Sequence, residues 1–87
     1  MNGFDWTYRF AGIVIYCTVP GSEVRDVLRL SNPTAEHLPE VRAYYEPIVR
    51  ERVFEAGAAY GEEWNFSSVG GQHVVSRVDP KTGWVTS

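Results

Sequence analysis

The chain has 87 residues, of which 44% are hydrophobic and 14% aromatic, and its net charge is −3. This composition is typical of one folded domain and excludes a disordered tail, and no apolar run reaches the length of about 18 residues that a membrane-spanning helix needs. The mild acidity argues against a general nucleic-acid binder, because such proteins present a basic patch to the phosphates. We expect a single domain over residues 1–87 without a membrane span.

The N-terminal segment and the single cysteine indicate the compartment. The first ten residues, MNGFDWTYRF, lack the basic start and the small-residue cleavage site of a secretory signal. Cys17 has no second cysteine with which to form an internal disulfide, and it lies in the most apolar part of the chain. We therefore expect a buried thiol in a cytoplasmic protein.

Residues 4–19 resemble one long β-strand. Aromatic side chains alternate along its first half and point to one face: Phe4, Trp6, Tyr8 and Phe10. From Ala11 onward both faces are mostly apolar, and Gly12 is a candidate bulge. A strand that is apolar on both faces needs a cover on each face. Since a chain this short offers few elements for two covers, the pattern predicts a surface that is buried against a partner.

The middle of the chain predicts helices. Pro20 and Gly21 end the strand, and an apolar stripe over residues 22–30 predicts a short helix. A second helical region extends over residues 34–60. Pro47 lies in its interior, where proline removes a backbone hydrogen bond, so a kink or a boundary between two helices is expected there.

The C-terminal third predicts a β meander with strands over residues 62–69, 72–78 and 84–87. A two-residue Gly70-Gly71 turn would set Ser68 opposite His73 and Trp64 opposite Arg77, and residues 79–83 form a second turn. The whole chain is then an α+β fold of order β-α-α-β-β-β. A mostly antiparallel sheet, made of the long N-terminal strand and the meander, carries two or three helices on one face.

Strong catalytic, nucleotide-binding and metal-binding motifs are absent from the sequence. His37 and Glu40 are three residues apart, but a zinc site takes three or four ligands. His73 opposite Ser68 is the minimum of a nucleophile–base pair, yet no orienting acid or oxyanion hole is evident. We therefore expect no catalytic residue, no cofactor and no metal, and a protein that is not an enzyme.

Aromatic and arginine side chains suggest a protein interface, because these residue types anchor interfaces most often. The expected contacts lie on the first strand and on the meander: Trp6, Tyr8, Arg9, Trp64, Arg77 and Trp84. A first strand at a sheet edge would pair with its own copy, whereas a central one would leave a sheet face for the dimer. We expect a protein-binding module, a homodimeric adaptor or inhibitor that occludes a surface of a larger macromolecule.

Two other functions stay open. One is a small-molecule-binding domain or tiny enzyme with an aromatic pocket, to which four residues would contribute polar groups: His73, Ser68, Tyr45 and Arg77. The other is nucleic-acid binding through the arginines of the second helical region, which interleaved glutamates neutralise. Short length, mild acidity and dense aromatic content are also frequent in phage-encoded and accessory bacterial proteins that act by binding, an analogy of composition alone.

Overall fold

A computed structural model describes residues 3–78 and 85–86 of the chain. Its elements are β1 Gly3–Phe10, β2 Ile13–Pro20, α1 Gly21–Leu28, a 3₁₀ helix Ala35–His37, α2 Leu38–Glu55, β3 Glu63–Val69, β4 Gln72–Val78 and β5 Val85–Thr86. The strands form one sheet in the order β1-β2-β3-β4-β5. The α+β class is confirmed, and the order of elements is corrected to β-β-α-α-β-β-β.

The prediction of one strand over residues 4–19 is wrong, because a two-residue turn at Ala11 and Gly12 folds this segment into the β1–β2 hairpin. Their φ angles are 53° and 75°, the left-handed pair of a type I′ turn. Phe10 consequently lies opposite Ile13. Since opposite residues share a face, the apolar even-numbered residues of β1 and odd-numbered residues of β2 lie on the same face. The hairpin needs a cover on one face only, so the apolar residues of this segment do not by themselves require a partner.

The sheet is mixed, which the sequence did not predict. β2 and β3 are parallel neighbours, and the other pairings are antiparallel. A parallel pair needs a long crossover connection. Here α1 and α2 supply it, because they lie between β2 and β3 in the chain. The crossover inserts β2 between the hairpin partner β1 and the meander, so β1 forms an edge of the sheet.

The register predicted for the meander is confirmed. Ser68 lies opposite His73 and Trp64 opposite Arg77, on either side of the turn at residues 70–71, where both glycines have positive φ. The predicted turn over residues 79–83 and the interface residue Trp84 lie outside the described residues.

The second helical region is shorter than predicted and is not broken at its proline. α2 is one helix that passes through Pro47, whose side chain is exposed. A stripe of fully buried side chains at every fourth position packs against the sheet: Val41, Tyr45, Val49 and Val53. This spacing places the four side chains on one face of the helix, so α2 buries a single stripe.

The helices cover one face of the sheet, which we call the inner face. It carries the buried side chains of the strands: Phe4, Trp6, Ile13, Ile15, Cys17, Val19, Trp64, Phe66 and Ser68. The opposite face, the outer face, has no buried side chain among the described residues of β1 to β4.

Burial raises the pKa of the Cys17 thiol to about 12, which matches the expected buried thiol. Within the described ranges, no helix is long and apolar enough to cross a membrane.

Candidate functional site

A carboxylate in α1 connects three elements of the fold. The Oε2 atom of Glu23 accepts hydrogen bonds from the Tyr45 hydroxyl of α2, at 2.8 Å, and from the Ser68 hydroxyl of β3. Its Oε1 atom accepts from the backbone N–H of Gly71 in the β3–β4 turn, at 3.0 Å. We call these four residues the Glu23 clamp. Tyr45 and Ser68 are fully buried, so their hydroxyls depend on this carboxylate as an acceptor.

His73 lies beside the Glu23 clamp. Its ring stacks on Phe66 with 6.0 Å between the ring centroids and meets the edge of Tyr45 at 6.1 Å. Three of the four residues predicted for a polar pocket, His73, Ser68 and Tyr45, therefore lie together. Arg77 instead forms an ion pair with Glu62, with 3.2 Å between Nε and Oε2.

The pKa shifts of Glu23 and Tyr45 have the directions expected for a carboxylate that accepts hydrogen bonds from buried hydroxyls. Burial raises the pKa of Glu23, but the hydrogen bonds from Ser68, Gly71 and Tyr45 outweigh it and lower the pKa below its ordinary value of 4.5. Burial and the Glu23 carboxylate both raise the pKa of Tyr45. The carboxylate thus accepts and the phenol donates near neutral pH. Ser68 is fully buried and donates to Glu23, so its oxygen is not presented to a substrate.

Metal binding has no support in the part of the chain that the structure describes, since it contains no group of three or more His, Cys, Asp or Glu side chains that could hold an ion. His37 has a different role. Its Nδ1 atom accepts from the backbone N–H of Thr34 at 2.9 Å, at the start of the 3₁₀ helix. The imidazole therefore caps a helix start.

The open edge of β1 is the second feature of interest. Among the described strands only β2 pairs with β1. In a two-residue hairpin the residues that flank the turn exchange hydrogen bonds, so the even-numbered residues of β1 direct their backbone groups to β2. The backbone N–H of Val14, which lies opposite Arg9, is consistent with this pattern. It points away from β1 and donates to the Glu62 carbonyl at 3.1 Å. The N–H and C=O groups of Asp5, Thr7 and Arg9 therefore point outward from the sheet.

Side chains along the β1 edge differ between the two faces. Asp5, Thr7 and Arg9 are exposed on the outer face. On the inner face Tyr8 and Phe10 are half-buried, and Phe54 of α2 packs edge-on against Phe10 with 5.0 Å between centroids. Phe54 itself is 55% exposed, so an apolar rim lies next to the free backbone groups.

The residues predicted as interface contacts have different locations. Trp6 and Trp64 lie in the core, 8% and 6% exposed, which leaves little of either side chain for a partner. Within the described residues the Trp6 indole N–H is buried without an acceptor. Tyr8 is half-buried, and its hydroxyl accepts from Arg50 at 2.9 Å. Arg9 is exposed at the β1 edge. Contact with a partner stays a prediction for all of them.

Sequence reasoning missed Glu23, and it left open whether the first strand is an edge strand or a central one. An acidic residue in the first turn of a helix interacts favourably with the helix dipole. The sequence offered no further signal for Glu23. Its partners Ser68 and Gly71 lie 45 and 48 residues from Glu23 along the chain. The edge position depends on the parallel pairing of β2 with β3, which is also a long-range property.

Comparisons of the chain with protein-family models, with curated proteins and with solved structures give no match.

Proposed function

We propose that this protein is a non-enzymatic protein-binding module of the cytoplasm, a homodimeric adaptor or inhibitor that occludes a surface of a larger macromolecule. The open edge of β1 carries this proposal. A row of unpaired N–H and C=O groups on an edge strand binds another extended strand through backbone hydrogen bonds. Asp5, Thr7 and Arg9 offer such a row on a strand of eight residues.

Two devices that commonly protect an edge strand from pairing, a bulge and a proline, are missing from β1. Its register with β2 runs without interruption from Gly3 to Phe10, so no bulge twists the edge away. The strand contains no proline. Asp5 and Arg9 carry charges of opposite sign, which can attract a second strand instead of repelling it.

The outer face supports the second half of the proposal, the occlusion of a larger surface. It joins the β1 edge directly, and it presents apolar side chains among hydroxyls and amides. Tyr16, Val69 and Val74 are 41%, 65% and 52% exposed there. Pairing of two copies through β1 would join two outer faces into one sheet surface of twice the width. Such a mixed surface has the composition of a non-obligate protein interface.

The variant Thr7→Pro tests the proposal. Proline removes the outward N–H of Thr7 and sets a ring at the edge, while β2 makes no use of that N–H, so the hairpin remains. We expect the wild-type chain to have a light-scattering mass near twice 9.8 kDa that falls on dilution. Thr7→Pro should stay near 9.8 kDa throughout the same dilution series, with an unchanged circular dichroism spectrum.

Thr7→Val is the matched control, because it keeps the N–H group and should associate like the wild type. A wild-type chain that is monomeric across the series would contradict the homodimer. If Thr7→Pro associated as strongly as the wild type, the binding element would lie elsewhere than on β1.

A ligand pocket built on His73 and Ser68 has weaker support, although the two side chains lie close together. A ligand there would first have to displace the hydrogen bond from Ser68 to Glu23, which connects β3 to α1. The free groups of the β1 edge need no such rearrangement before they bind.

A further inference from the structure

We infer that two copies of this chain pair antiparallel through β1 with the twofold axis at Thr7, so that Asp5 of each copy forms an ion pair with Arg9 of the other. The inference rests on the proposed function of the β1 edge and specifies the register in which the two copies pair. The result is a continuous ten-stranded sheet with both sets of helices on the same side.

Backbone geometry permits this register. With the axis at Thr7, the two Thr7 residues lie opposite each other, and Asp5 lies opposite Arg9 of the second copy on both sides of the axis. All of these residues direct their N–H and C=O groups outward. Each opposed pair therefore exchanges two backbone hydrogen bonds, which gives about six across the junction.

Charge selects this register among the antiparallel alternatives. An axis at Asp5 would bring two carboxylates together, and an axis at Arg9 would bring two guanidinium groups together. An axis at the intervening residues, Trp6 or Tyr8, would leave each charge opposite a neutral residue. Among these positions, an axis at Thr7 places Asp5 of each copy opposite Arg9 of the other. Like charges at opposed positions are destabilising.

The inner face is compatible with the same register. Trp6 would lie opposite Tyr8 of the second copy at a position without exchanged hydrogen bonds, where side chains approach most closely. Phe10 would lie opposite Phe4 of the second copy. The exposed Phe54 next to Phe10 would then be near the junction, so apolar surface would be removed from water on the helix side.

Charge reversal tests the register. Asp5→Arg alone sets arginines opposite each other across the junction, and Arg9→Asp alone sets carboxylates opposite each other. Each single variant should weaken the dimer by about tenfold or more in Kd, because two attractive contacts become repulsive. An equimolar mixture of the two variants should form a heterodimer, and the double variant D5R/R9D should recover the wild-type Kd within about threefold.

The dimers are measured by light scattering across a dilution series, and the heterodimer by native mass spectrometry of the mixture. Both side chains are exposed, so the melting temperature should change little when it is measured at a dilution at which the wild type is monomeric. If a variant proves unfolded, D5K or R9E replaces it.

The outcomes separate the register from the proposed function. Single variants that dimerise like the wild type, a mixture without heterodimer, or a double variant without recovery would each overturn the axis at Thr7. If Thr7→Pro still abolishes association in those cases, the β1 edge remains the binding element with another register. If the wild-type chain never dimerises, the inferred pairing and the homodimer fail together.

Discussion

Replacing Glu23 with alanine is expected to lower the free energy of unfolding by about 2–3 kcal/mol. Tyr45, Ser68 and Gly71 all donate to this carboxylate, and two of those donors are on fully buried residues that water does not reach. The cost is that of leaving buried hydroxyls without an acceptor. In a domain of this size the melting temperature should fall by roughly 10–20 °C, measured at fixed protein concentration because the chain is proposed to associate.

Asp26→Ala is the matched control for this prediction. Asp26 is an acidic residue of the same helix, but its side chain is 76% exposed and its ion pair with Arg25 spans 3.7 Å. Such a contact contributes little, so the change should be below about 0.5 kcal/mol. Equal effects of Glu23→Ala and Asp26→Ala would show that the Glu23 clamp does not stabilise the fold.

Glu23 should also make stability depend on acid pH. Its folded pKa lies below the ordinary value of 4.5, so the unfolded chain takes up the proton first as pH falls. The contribution is complete above that ordinary value and is lost as pH falls through the folded pKa. Urea midpoints from about pH 6 to about pH 3 should therefore fall less steeply in Glu23→Gln, which cannot ionise. Parallel pH curves for the wild type and Glu23→Gln would contradict this role.

Local turn chemistry explains which parts of the fold could be predicted. Gly70-Gly71 is a recognisable hairpin turn, and its length alone fixed the pairing of Ser68 with His73. Ala11-Gly12 forms the same kind of turn with an alanine at positive φ, a position that alanine rarely occupies. Apolar residues occupy even positions before the turn and odd positions after it. Without the turn, this pattern resembles one strand with two apolar faces.

Properties that depend on contacts between residues far apart in the chain could not be predicted from the sequence. The edge position of β1 follows from the parallel β2–β3 pair, and the Glu23 clamp joins residues 22 to 48 positions apart. Trp6 and Trp64 illustrate the same limit, since an aromatic residue suits a core as well as an interface. Their burial was decided by which face α1 and α2 cover.

Tyr45→Ala is expected to cost about 3–5 kcal/mol, because it removes a fully buried ring from the contact between α2 and the sheet. The ring lies 6.4 Å from Phe66 and 6.1 Å from His73, centroid to centroid, so its loss leaves a cavity beside β3 and β4. Total stabilities of small domains are about 5–15 kcal/mol, so this variant should be close to unfolding. Urea denaturation at neutral pH measures the loss.

Tyr45→Phe separates the hydroxyl from the ring, since it keeps the packing and removes only the donor to Glu23. We expect it to cost about 1–2 kcal/mol in the wild-type background and much less in Glu23→Ala, where the acceptor is already absent. That difference measures the Tyr45–Glu23 hydrogen bond directly. If Tyr45→Phe costs the same in both backgrounds, the hydroxyl acts independently of Glu23, and α1 and α2 are held together by packing alone.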